Sequence, residues 1–235
     1  MRIITWNCQM AFRKKWPALI DYAPDIMVIQ ECEHPSRYKP EQLMPGVSDF
    51  LWIGDNEHKG LGIISFNGLR LNIAADYNDH FRYVVPVRVS GSIDMRLWAI
   101  WAMPVKNRKA DSYVGQVWKA VNYYEPMFAN GRTIIIGDLN SNAIWDNERK
   151  QGNHTMVVDL LKRYDIESIY HRQNGESHGK ESRPTFFLTK KREMPYHLDY
   201  CFLSADLISN QTAISVGAYD NWIKLSDHVP LIIDF

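Results

Sequence analysis

The sequence predicts an α+β chain folded as a four-layer α/β-sandwich, two packed mixed β-sheets flanked by helices. Three observations carry that expectation. Short apolar runs of strand length recur along the chain, from Ile3-Ile4 to Leu231-Ile232-Ile233. They alternate with helical patterns, but without the regular period of a parallel doubly wound sheet. No Gly/Ser/Pro-rich linker, internal repeat or low-complexity tract interrupts the 235 residues, so residues 1–235 read as a single domain.

The elements follow in order. Arg2 to Trp6 reads as the first strand, and Phe12, Trp16, Leu19, Ile20 and Ala23 then recur at helical spacing, with Pro17 near the helix start. Strands are expected at Asp25 to Ile29, Leu61 to Phe66, Arg82 to Val89 and Met95 to Met103, with Gly60, Gly68 and Gly91 as boundaries. Residues Ala110 to Phe128 form the clearest amphipathic helix, with Tyr113, Val117, Val121, Tyr124 and Phe128 on one stripe and Pro126 near its end. Thr133 to Ile136 is a strand and His154 to Tyr164 a second helix, in which His154 is a starting residue. Thr185 to Leu188, Leu198 to Leu203 and Val229 to Ile233 complete the strands.

Composition narrows the function. The 27 basic residues equal the 27 acidic ones, so the chain lacks the cationic surplus of a dedicated duplex-DNA binder. Two local basic stretches, Lys106-Arg108-Lys109 and Lys180 to Arg192, are either phosphate-binding patches or solvated loops. The eight tryptophans and twelve tyrosines could stack on single-stranded bases or simply fill the core. Cys8, Cys32 and Cys201 are odd in number and lie in or beside expected strands, so they read as reduced core thiols. With no secretory leader pattern and no apolar run of membrane length, the expected location is cytoplasmic.

The chemistry gathers at strand ends. Asn7, Glu31 and Asp138 follow their strands, whereas Asp199, Asp227 and His228 precede theirs. These groups can meet only if the two sets of strands run antiparallel. If they do, several carboxylates crowd one pocket and raise one another's pKa, and a hard divalent cation is the usual remedy. Oxygen ligands of this kind suit magnesium or manganese.

The ordered set Trp6-Asn7, Gln30-Glu31, Gly137-Asp138-Leu139-Asn140, Leu198-Asp199-Tyr200 and Ser226-Asp227-His228 resembles the endonuclease/exonuclease/phosphatase superfamily, from Asn7 to His228 and in the family's order. The resemblance implies a Mg2+- or Mn2+-dependent phosphodiester hydrolase in which water attacks a phosphate in line. It implies Glu31 as principal metal ligand with Asn7 and Asp227, and Asp138 as the group that orients and deprotonates the water. Asn140 would hold the water or a phosphate oxygen, and Asp199 and His228 would form a dyad that donates to the phosphate. Because adjacent residues of a strand point to opposite faces, Asp227-His228 is expected in a turn before the last strand. The other seven histidines read as structural. A nuclease acting on DNA or RNA, weakly bound, is the leading expectation. The alternative is a phosphatase or phosphodiesterase of a small-molecule or lipid head-group ester, and a binding module without turnover is a third.

Three positions depart from the family pattern: Gln9 where abasic-site endonucleases carry a second carboxylate, His197 where arginine is common, and Trp101-Ala102-Met103-Pro104 where relatives place a tyrosine or histidine before the proline. The last leaves phosphate positioning without its usual owner. Lys106, Asn107 and Arg108, directly after that strand, are the candidate substrate-binding residues, Arg108 for its planar fork.

Overall fold

The computed structural model describes residues 1–105, 111–147 and 152–235. Two six-stranded mixed sheets pack face to face. One has the order β13-β14-β1-β2-β4-β3, from β1 (Arg2–Asn7), β2 (Ile26–Cys32), β3 (Val47–Asn56), β4 (Lys59–Phe66), β13 (Ala213–Val216) and β14 (Leu231–Asp234). The other has the order β5-β6-β7-β8-β12-β9, from β5 (Arg70–Ile73), β6 (Val84–Ser90), β7 (Met95–Trp101), β8 (Thr133–Asp138), β9 (Ile166–Ser168) and β12 (Asp199–Ser204). A small hairpin of β10 (Phe186–Phe187) and β11 (Pro195–Tyr196) lies outside them.

Strand alternation separates the layers. On β1, Ile3 joins the core between the sheets, with Val28 and Ile63 from its own sheet and Val85, Leu97, Ile134 and Cys201 from the other. Ile4 and Trp6 point the opposite way, toward Phe12, Leu19 and Trp222 of the outer layer, which contains α1 (Pro17–Ile20) and α5 (Tyr219–Trp222). The second sheet turns Trp98, Ile100, Ile135, Tyr200 and Phe202 toward α2 (Val114–Phe128) and α3 (His154–Lys162). α4 (Ile169–Asn174) follows β9, and its Ile169 and Tyr170 enter the central core. This is the expected four-layer sandwich, with each sheet buried on both faces.

The local departures have physical reasons. The segment from Phe12 to Ala23 is not one helix: it is a 3-10 turn at Phe12–Lys14 followed by the single turn of α1. Ala11 stands in the left-handed region, and Pro17 can only begin a helix. Pro126, by contrast, is accommodated inside α2, which runs on to Phe128. The expected strand Thr185 to Leu188 shortens to β10 and a 3-10 turn at Leu188–Lys190. All three cysteines are buried and free, and among the described residues no helix is long and apolar enough to cross a membrane.

Candidate active site

Register brings the strand ends together. β14 pairs antiparallel with β1, and β12 pairs antiparallel with β8 so that Asp199 stands opposite Asp138. Residues that follow their strands therefore meet residues that precede theirs, as the sequence pattern requires.

Asp138 is fully buried and held from both sides. Its Oδ2 accepts from Asn7 Nδ2 at 3.1 Å and from Asn140 Nδ2 at 3.3 Å, and its Oδ1 accepts from the Asn140 backbone N–H at 2.8 Å. The last bond depends on the left-handed conformation of Asn140, at φ 47°, which folds the chain back after β8. Burial, then the nearby Asp199 carboxylate, push the Asp138 carboxyl up to about 7, far above an ordinary aspartate.

His228 Nδ1 lies 2.8 Å from Asp199 Oδ2. Burial alone would lower the imidazole pKa, but the Asp199 charge and hydrogen bond outweigh it and raise it to about 9. Thr185 Oγ1 fixes the other end of the dyad by accepting from the Leu198 and Asp199 N–H groups at 2.9 and 3.1 Å. Phe186 covers the imidazole with ring centroids 4.7 Å apart. The Ser226 hydroxyl donates to Asn7 O at 2.7 Å and accepts from His228 N at 3.1 Å, while the Trp6 indole donates to His228 O at 2.9 Å. Asp227 occupies a bend ahead of β14, so the dipeptide does precede the strand.

Glu31 sits on a bulge of β2. Gln30 and Cys32 pair with Leu61 and Gly60 of β4, leaving Glu31 unpaired at φ 59°, so its carboxylate is re-aimed away from the strand's alternation. It forms an ion pair with Lys59 Nζ at 3.2 Å, and the same ammonium lies 5.2 Å from the Trp101 ring centre. Trp101 itself is core, packed on Tyr83. Sequence reading missed Lys59, Thr185 and Phe186; only Thr185 and Phe186 carried a signal, their place in an expected strand next to Leu198-Asp199. Lys106, Asn107 and Arg108 lie outside the described residues.

The expected ligands offer oxygens: the Glu31 carboxylate, the Asn7 amide oxygen, which accepts from the Gln9 N–H at 3.1 Å, and the carboxylate of Asp227, whose turn Ser226 ties to the end of β1. Asp199 Oδ1 is in addition a buried acceptor with no hydrogen-bond donor. This donor chemistry fits a hard divalent cation such as magnesium.

No protein-family model matches the chain, and no curated protein matches it in sequence. Solved structures do match. A 3'-5' exonuclease (NExo) from Neisseria meningitidis superposes with a TM-score of 0.73 at 20% identity, covering 100% of this chain and 99% of that one. An AP endonuclease, LMAP, from Leishmania major gives 0.70 at 14% identity, over 99% of this chain and 86% of that one. An AP endonuclease from Archaeoglobus fulgidus gives 0.68 at 15% identity, over 100% and 99%. The two packed mixed sheets, their flanking helices and these whole-chain superpositions establish that the chain has the endonuclease/exonuclease/phosphatase fold.

Proposed function

We propose that the protein is a divalent-metal-dependent phosphodiester hydrolase acting on nucleic acid. The observation that carries this reading is the pairing of two differently tuned groups within one buried cluster. Donor atoms of Asp138, Asp199 and His228 lie within 4.8 Å of one another, yet Asp138 titrates near neutrality while His228 stays cationic to about 9. An acid and a base with separated pKa values are what in-line hydrolysis of a phosphoester needs.

In this reading Asp138, aligned by Asn7 and Asn140, accepts the proton of the attacking water at one of its carboxylate oxygens. Asn140 orients that water. His228, kept cationic by Asp199, donates a hydrogen bond to a non-bridging phosphate oxygen and stabilises the charge that builds there. Glu31, Asn7 and Asp227 would hold magnesium or manganese, which supplies charge neutralisation at the phosphate. Lys106, Asn107 and Arg108 are proposed phosphate contacts, with Arg108 able to hold two oxygens at once.

Nucleic acid is favoured as substrate because an aromatic row leads outward from His228. Phe186 packs against it at a tilt of 45°, Tyr196 lies 6.3 Å from Phe186, and Trp145, half exposed, lies 5.2 Å from Tyr196. Such a row can receive unstacked bases. Similar structures point the same way, one being described as a 3' phosphatase bound to a product DNA hairpin. The test is a panel of single-stranded, duplex and abasic DNA, RNA and a chromogenic phosphodiester, with magnesium and with chelator. Magnesium-dependent cleavage of a nucleic acid, abolished in Asp138→Asn, is expected. Turnover of the chromogenic ester alone would move the protein to the small-ester class, and full turnover in chelator would remove the mechanism.

A further inference from the structure

The cations near the expected metal ligands are not equivalent. Lys15 Nζ donates to the Cys8 and Gln9 carbonyl oxygens at 2.7 and 3.2 Å, and Arg13 is paired with the buried Glu33. Both hold the chain that follows β1. Lys59, the first residue of β4, is tied differently. Among the described residues its ammonium has the Glu31 carboxylate at 3.2 Å and the Trp101 face at 5.2 Å as partners. The Lys59 side chain is 35% exposed, against 18% for Glu31, so the ammonium can be reached from solvent.

Both sheets contribute to its place. Glu31 stands on the β2 bulge, beside the pairing of Cys32 with Gly60 at the start of β4. Trp101 ends β7, where it is the register partner of Asp138, and the next residue, Ala102, donates its N–H to the Asp138 carbonyl oxygen at 2.8 Å. Ala102 O in turn accepts from Asn140 Nδ2 at 3.2 Å. An ammonium that meets both Glu31 and Trp101 therefore lies between the expected metal ligand of one sheet and the strand ends of the other that carry the proton acceptor. In the proposed hydrolysis the reacting phosphate occupies that gap.

Charge decides what the lysine does there. A partly exposed ion pair is worth only ~0.2–1 kcal/mol, so it yields to a divalent cation on the same carboxylate. The ammonium is then left with a like charge as its neighbour and an aromatic face that carries no charge. An anion in the site is the partner that restores what it has lost. The flexible stem and rotatable donors of lysine allow that shift without any movement of β4.

We propose that Lys59 is a phosphate-binding residue that exchanges Glu31 for substrate: once Glu31 takes a divalent cation, the lysine ammonium closes on a non-bridging phosphate oxygen. This inference rests on the metal-dependent hydrolase reading above. Its consequence is cooperativity, because metal binding frees the cation that the phosphate needs, and phosphate binding favours the metal by the same factor.

The test uses inorganic phosphate as probe, titrated by calorimetry into the full chain and into Lys59→Met, each with saturating Mg2+ and with EDTA. Lys59→Met should weaken phosphate binding by about 5-fold or more in Mg2+, the scale of one charged hydrogen bond, and by less than about 2-fold in EDTA, where Glu31 holds the lysine back. Loss of a general surface charge would weaken both equally. The same variant should bind Mn2+ more tightly by electron paramagnetic resonance, while its kcat/KM on the chromogenic phosphodiester falls by about 10-fold or more and is partly recovered in Lys59→Arg. Equal loss of phosphate affinity with and without Mg2+, or an unchanged kcat/KM in Lys59→Met, would overturn the proposal. A wild-type chain without Mg2+-dependent turnover of any phosphoester would instead remove the hydrolase reading, and the calorimetry would still decide whether Lys59 meets phosphate.

Discussion

Asp138 and Asp199 are cross-strand register partners, yet only Asp199 bonds His228, while Asp138 is bonded by Asn7 and Asn140. Two carboxylates on neighbouring strands are thus assigned opposite partners, one a cation and the other neutral amides. Burial and the neighbouring Asp199 carboxylate push the Asp138 carboxyl up against the pull of its amide donors, while Asp199 supports the imidazole.

Asp138→Asn should lower kcat by ~100-fold or more with KM little changed, because the proton acceptor is lost only where the transition state needs it. Steady-state kinetics at saturating metal decide it, and a near-normal kcat would remove Asp138 from its role.

The His228 pKa, raised above its unfolded value of ~6.5 to about 9, has a definite sign. Its contribution to stability is complete below ~6.5 and is lost as pH rises through 9. The kcat profile should likewise fall on a limb near 9, and Asp199→Asn should move that limb down toward the ordinary histidine value. A wild-type profile flat through pH 10 would contradict this.

Lys59 sits on the carboxylate expected to ligate the metal. Lys59→Met should therefore reduce the metal concentration for half-maximal activity by about 1.4- to 5-fold, the scale of a partly exposed ion pair worth ~0.2–1 kcal/mol. Glu31→Gln should raise that concentration. An unchanged metal titration in both variants would separate Glu31 from metal binding.

Gly137 has φ 142°, and a Cβ there would lie 2.0 Å from the Ile100 carbonyl oxygen of the adjacent strand. Gly137→Ala should cost ~3 kcal/mol or more and shift Asp138, its neighbour, out of register. Thermal denaturation with kinetics on the surviving folded fraction checks both effects; a Tm within a degree of wild type would refute the close approach.

Sequence made the strand ends legible because polar residues abut apolar runs there, and Asp138, Asp199 and His228 duly lie in one cluster. It did not reveal β3, whose residues Val47–Asn56 lie at a sheet edge, half-buried on both faces, with Ser48, Asp49 and Gly54 breaking any alternation. The Glu31–Lys59 pair was hidden because a bulge, rather than strand period, aims Glu31.

The pairing of β1 with β14 has a consequence for biosynthesis. β1 is made long before β14, so one of its two edges finds its partner only in residues 231–234, and His228 arrives just before them. While the chain is emerging from the ribosome, that edge carries unsatisfied amides and carbonyls beside Ile3, Ile4 and Trp6, a template for pairing with other chains. That edge therefore needs shielding until residues 231–234 have been made, and the cluster of Asp138, Asp199 and His228 cannot assemble before His228 itself exists.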